Sequence, residues 1–373
     1  MSREDGFTLT ELLITTTIML CVTGAALTTF RNALTINDSA GQLADANQNL
    51  RAGTNQLVKD LMMAGRIIGP GGVPVPTGAG VGAFARPGPA GSSLTFNLVS
   101  DDDTSLNLPD ITTGYQLGPM INGSRTDMVT IMTIDEFMPL LTSKASGALS
   151  NTDATIDPAG GFLTVPATSL WLTGDAVYDT APINVGDIIF FKNPNGTAIQ
   201  TVTSKDATHI YFAANNPNDF FHFNQRNVAY SGTVLNLKAP ADTTSPYPTT
   251  TMMRAMMITY YVEYDAAHPD TPPRLTRKLN NFTPQALAGV VEDLDLTYDL
   301  VDRVNNPANV TSLPFTLTTG GNTVTYNSNQ IRKVNIHVGV RSEQISKPAQ
   351  DYIRNHISTS VDVRSLAAVD RYQ

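Results

Sequence analysis

The stretch that decides the fold is Gly6-Phe7-Thr8-Leu9-Thr10-Glu11 followed by LLITTTIMLCVTGAALTTF, residues 12–30. The nineteen residues from 12 to 30 carry no charge, and Arg31 ends the run. That is close to the ~20 residues a helix needs to cross a hydrocarbon core. Thr15, Thr16, Thr17, Thr23, Thr28 and Thr29 weaken the run as a membrane span. A helical threonine can, however, return its hydroxyl to a carbonyl of the preceding turn. Three readings compete. A secretory signal peptide needs a basic leader and a small-residue cleavage site. Arg3, Glu4 and Asp5 give no net positive charge, and no cleavage box closes the run. An ordinary anchor leaves Glu11 unexplained, because a carboxylate at the edge of an apolar run is costly unless paired. The third reading is a processed leader in front of an assembling helix.

Downstream of Arg31 there is no proline before residue 70. Ile36, Ala40, Leu43, Asn47, Leu50, Thr54, Leu57 and Leu61 alternate spacings of four and three, which traces one helical stripe. Asn47 and Thr54 thin its middle. A helix from Phe7 to about Ala64 would be ~85–90 Å long at 1.5 Å per residue. Gly65 and the Gly69-Pro70-Gly71-Gly72 cluster end it. Between Gly69 and Gly91, 13 of 23 residues are Gly or Pro, which reads as a loop or linker. It lacks the Gly-Lys-Ser/Thr ending of a phosphate-binding loop.

The remaining chain reads as strands. The runs are Ser93–Val99, Asp127–Ile134, Asp187–Lys192, Ala198–Thr203, His209–Ala213, Thr233–Leu237, Met256–Tyr264, Arg274–Leu279, Val291–Leu300, Ile331–Val340 and Thr359–Val363. They are rich in β-branched and aromatic residues with turn formers between them. A length of 373 residues suggests two to three domains. Only 15% of residues are charged, Lys occurs 8 times and net charge is −9. That balance argues against nucleic-acid binding, which needs clustered basic side chains. Cys21 is the single cysteine, so neither an intramolecular disulfide nor a cysteine zinc cluster is available.

GFTLTELL at residues 6–13 resembles the leader and start of type IV pilins and pseudopilins. The resemblance implies cleavage after Gly6 by prepilin peptidase, N-methylation of Phe7, and a subunit-assembly role for Glu11. The leader departs from the family in lacking net basic charge, and the apolar helix has no proline. Further segments, in order, resemble PilW-type minor pilins and, more distantly, J-type minor pseudopilins of type II secretion. They are RAGTNQLVKDLMMAGR, TDMVTIMT, GDIIFFKN, AIQTVTS, MMITYYVEYD, PRLTRKLNN, VVEDLDLTYDL, IRKVNIHVGVRSEQ and STSVDVRSL.

The expected architecture is α+β and pilin-like. Residues 1–6 form the leader, 7–66 the transmembrane and filament helix, and 67–91 a Gly/Pro-rich loop. Residues 92–250 form a β-rich insertion with a small core around Ile188–Phe191 and Ile210–Phe212. Residues 251–373 form an antiparallel sheet under the helix. The implied function is that of a minor type IV pilin at pilus initiation or the tip. A type II pseudopilin, or a tip adhesin using the insertion, is the alternative. Expected partners are other major and minor pilins, prepilin peptidase and the inner membrane before assembly, with no nucleic acid. The later location would be a periplasmic or extracellular pilus or pseudopilus.

No catalytic set is visible. His209, His222, His268, His337 and His356 form no His-x-x-x-His pair, and no HExxH, GxSxG or Walker pattern occurs. The expectation is a non-enzyme without cofactor. Asp101, Asp102 and Asp103 could offer Ca²⁺ its clustered oxygens, though an acidic solvated turn explains them as well. Trp171 and Phe220-Phe221-His222-Phe223 read as core rather than as a binding platform.

Overall fold

The computed structural model describes residues 8–69, 71–98, 106–145, 147–176, 180–238, 247–265, 267–268, 271–302, 304–346, 351–363 and 366. The fold is α+β with one long N-terminal helix, Leu9–Met62, and many strands. The apolar stripe predicted the helix to within a few residues. Met63 closes it, its amide bonded to the carbonyls of Asp60 and Leu61. Gly65 turns the chain at a φ of 70°, a region open to glycine at little cost.

Two main sheets make the head, with four two-stranded ribbons beside them among the described residues. In the smaller one, Ile331–Ser346 lies between Val291–Leu300 and Asp351–Asp362, all antiparallel. The larger one has twelve strands. Its longest strand, Thr251–Glu263, pairs antiparallel with Met128–Ile134, Leu141–Ser143, Ile188–Asn193 and Arg274–Leu279. One sheet thus joins strands from both sides of residue 250.

Three buried clusters fill the spaces. The first joins Leu50, Leu57 and Leu61 of the helix, and Ala64 just past its end, to Leu294, Leu296, Val334, Ile336 and Val338 of the smaller sheet, and to Ile258, Tyr260 and Val262 of the long strand. The second gathers Trp171, Ile189, Phe191, Ile210 and Phe212. The third holds Ile188 and Phe190 with Met253, Ala255 and Met257. Ile189, Phe191, Ile210 and Phe212 share one cluster, but period-two alternation sends Ile188 and Phe190 to the other face, and residues beyond 250, Met252 in one cluster and Met253 in the other, complete both.

Two local expectations differ from the structure. The Gly/Pro-rich stretch is not a free linker: Val73, Val75 and Phe84 are buried in the third cluster, with Phe96 just beyond it. Its glycines allow backbone to approach backbone. At Gly72, with φ of 71°, a Cβ would stand 2.3 Å from the Leu108 carbonyl oxygen. Thr233–Leu237 is also no strand. Val234–Leu237 forms a 3₁₀ turn, because Thr233 accepts the Leu235 amide and Asn236 returns a bond to the Thr233 amide, a capping box that outweighs the β-branched composition.

The helix meets the head at a tight crossing. A Cβ added to Gly53 would lie 2.9 Å from Ala288 Cβ and 3.2 Å from Leu275 Cδ2. In an exposed helix, Gly→Ala would stabilise by ~1 kcal/mol. Here overpacking should outweigh that gain, so Gly53→Ala is expected to lower unfolding stability by ~1–3 kcal/mol in denaturant titration. A net stabilisation would show that the crossing is loose.

Candidate assembly site

The helix tip is built by its own sequence. Thr8 is the N-cap, with extended backbone at φ −77°, ψ 150°. Its hydroxyl oxygen accepts the Glu11 amide at 3.3 Å, and the Thr8 amide donates to Glu11 Oε2 at 3.0 Å. This reciprocal pair satisfies two amide donors that a helix start leaves open. Glu11 thereby sits folded back onto Thr8. Gly6 and Phe7 lie outside the described residues.

Beyond the tip the helix is bare. Its 18-residue apolar window is wholly unburied, and the helix is long and apolar enough to cross a membrane. Leu9, Leu12, Leu13, Ile14, Ile18, Met19 and Leu20 are all exposed. The threonines do not expose unpaired hydroxyls. Thr15, Thr16, Thr17, Thr23, Thr28 and Thr29 each donate to the carbonyl four residues back, at 2.7–3.0 Å. A run with polar composition therefore presents a largely apolar cylinder.

The other half is fixed to the head. Asp60, buried on the helix, accepts the Tyr260 hydroxyl at 2.6 Å and Arg277 Nε at 2.7 Å through Oδ2. Gln56 donates to its Oδ1 at 3.1 Å. Burial and the Asp60 charge push the Tyr260 hydroxyl up, so it stays a donor. The polar interruption at Asn47 is also explained, since its side-chain oxygen accepts Asn355 from the last strand.

A second carboxyl stands just past the helix end. A Cβ at Gly65 would lie 2.6 Å from Asp110 Oδ2, so glycine is needed for space as well as for φ. Asp110 is 1% exposed, and neither of its oxygens has a hydrogen-bond partner. Burial pushes its carboxyl up to about 8. Arg86 is buried without a carboxylate, donating instead to Thr130 Oγ1 at 3.0 Å and to the Thr113 and Thr112 carbonyls at 2.7 and 2.9 Å. Burial lowers it only to about 10, so it keeps its charge at neutral pH.

The other sequence candidates fall as follows. Asp101, Asp102 and Asp103 lie outside the described residues. Among the described residues, no three His, Cys, Asp or Glu side chains converge on a point that would hold a metal ion. Trp171 is fully buried and donates to the Pro139 carbonyl at 2.6 Å. Phe221 and Phe223 are buried and stacked at 5.2 Å. Sequence reading missed the Asp60–Tyr260–Arg277 junction, whose one signal was an acid inside the densest apolar part of the stripe.

Residues 1–27 match the family model for the prokaryotic N-terminal methylation motif. The chain carries a type IV pilin-like prepilin leader. No curated protein and no solved structure matches the chain. The leader and the apolar helix together fit membrane anchoring before assembly.

Asp110 makes a pH prediction. Its folded value lies above the ~3.9 of a free carboxyl, so its contribution is full below that pH and is lost as pH rises through about 8. Asp110→Asn should flatten the fall in thermal unfolding midpoint of the detergent-solubilised chain between those limits. At the alkaline end it should gain the equivalent of ~1–3 kcal/mol. Equal slopes in the two proteins would contradict the assignment.

Proposed function

We propose that this chain is a minor type IV pilin, a structural subunit that initiates pilus assembly or sits at the pilus tip. Prepilin peptidase cuts after Gly6, Phe7 is methylated, and the helix waits in the inner membrane. Other pilins are its partners. The chain works as a scaffold rather than as an enzyme and needs no cofactor. The observation that carries this reading is the division of one continuous helix. Its C-terminal part is locked to the head through Leu57, Asp60 and Leu61, while the uncharged run of residues 12–30 is unburied among the described residues.

Glu11 has a defined task in this scheme. Cleavage after Gly6 creates an amine one residue before the cap. An amine and a carboxylate inside an apolar bundle each carry a desolvation cost that pairing relieves. A contact between Glu11 of one subunit and the Phe7 amine of its neighbour also sets axial register, as buried polar groups do in coiled coils. The order of segments along the head supports a PilW-type subunit. The PilW-like order of segments favours the pilus over a type II pseudopilus. Residues 92–250, which supply most of the second core, are the surface an adhesin function would use.

Intact-mass and peptide analysis of the mature chain should find methylated Phe7 as its first residue. An intact Met1, or a cut near residue 30, would overturn the processing class. Glu11→Ala is expected to leave processing and head stability intact. It should remove most of the subunit from sheared fibres, with a loss of about tenfold or more. Normal incorporation of the variant would exclude the pairing.

A further inference from the structure

The two outer edges of the smaller sheet are finished differently. Antiparallel pairing turns the amide and carbonyl of every second residue of an edge strand away from the sheet. On Val291–Leu300 such outward groups are taken within the chain. The Leu294 carbonyl accepts the Asp127 amide at 2.7 Å, and the Leu296 amide donates to Asp127 Oδ2 at 2.9 Å. Tyr298 exchanges amide and carbonyl bonds with Val310 at 2.8 and 2.9 Å, and the Leu300 amide reaches the Pro307 carbonyl at 2.7 Å. That edge is plugged at successive outward residues.

The last strand, Asp351–Asp362, forms the other edge. Its odd residues bond inward. The Val363 amide, just past its end, donates to the Arg332 carbonyl at 3.0 Å, and the Ile353 amide to Ser342 Oγ at 3.1 Å. The register runs from Arg354 to Asp362 without a shift, so the even residues face outward throughout. The Tyr352 and His356 amides are met locally by the Asp351 and Asn355 side chains. The outward backbone groups of Arg354, Ser358, Ser360 and Asp362 meet no other strand or loop among the described residues. Proteins commonly blunt such an edge with proline or a bulge, because it templates added strands. The run Arg354–Asp362 has neither.

We propose that this edge takes up an extended segment of a different pilin as a fourth strand of the smaller sheet.

The inference rests on the assembly reading and names the head contact that accompanies the helix contact. The edge strand lies against the assembling helix, through Asn355 on Asn47 and Ile357 on the first cluster. A pilin packed beside that helix therefore reaches the strand as well. A copy of this chain displaced sideways in the same orientation presents its plugged edge, so the added strand comes from a different pilin. Backbone bonds supply the affinity. Side chains select the partner: an acid opposite Arg354 and a base opposite Asp362 favour pairing, and like charges there oppose it.

Hydrogen exchange read by mass spectrometry tests this on the processed full chain, in detergent and in purified sheared fibres. In fibres, the peptide covering residues 351–363 should gain protection at about four amides. The peptide covering 291–300, already bonded, should not change. Equal exchange of 351–363 in both states overturns the proposal and leaves the assembly reading standing, whereas absence of the chain from fibres overturns both. Ser358→Pro and Ser360→Pro remove only outward amide hydrogens. Each should keep the unfolding midpoint and cut incorporation into fibres by about three- to tenfold. Normal incorporation of both variants also overturns the proposal. In a Cys21→Ser background, a disulfide-linked homodimer of Ser358→Cys in fibres would assign the edge to a second copy and exclude the different pilin.

Discussion

The structure depends on the junction at Asp60. The helix has 54 residues, its N-terminal half is unburied among the described residues, and tertiary contacts at the other end fix its place on the head. The apolar contacts of Leu57 and Leu61 are non-directional and would tolerate sliding. The carboxylate of Asp60 is not tolerant, because Tyr260 and Arg277 come from adjacent strands and converge on one oxygen. A buried acid is stable only with such partners, so a shift by one turn would strand it. Packing supplies the attraction, and the acid selects one rotation and one height of helix against head.

The same helix therefore obeys two sets of rules. Near the head its stripe behaves as an ordinary protein core, with polar breaks at Asn47 and Asp60 that meet specific partners. Near the tip the rule is different: Thr8 and Glu11 cap one another, and the threonine hydroxyls of the uncharged run bond to the preceding turn. Local satisfaction leaves the cylinder free to face lipid or neighbouring helices without changing its internal bonding.

Much of this was readable from the sequence. The helix, its end and its uncharged run follow from periodicity, composition and glycine placement. Arg274–Leu279 and Val291–Leu300 were read with the observed bounds, because their β-rich composition is bounded by clear turns. What failed was non-local. The Gly/Pro-rich stretch looks like a linker until the sheet face that receives Val73, Val75 and Phe84 is known. Thr233–Leu237 has strand composition, yet two side-chain bonds to backbone make it a turn. Short strands such as Leu141–Ser143 and Asp153–Ile156 carry too few residues to show any period. At the tip, Glu11 stands out in the sequence as the acid beside the uncharged run, but its capping bonds with Thr8, like the Asp60 junction with Tyr260 and Arg277, emerge only in the folded chain.

The distances along the chain have a consequence for the order of folding. Asp60 is separated from Tyr260 by 200 residues and from Arg277 by 217. Asn47 waits for Asn355, 308 residues later. During synthesis the helix is thus complete long before any of its head contacts exist. Closure of such widely separated contacts is slow. The dense apolar end of the helix stays uncovered throughout that interval, and a growing chain that is tethered by its bare segment keeps this surface apart from those of other chains until the last strands arrive.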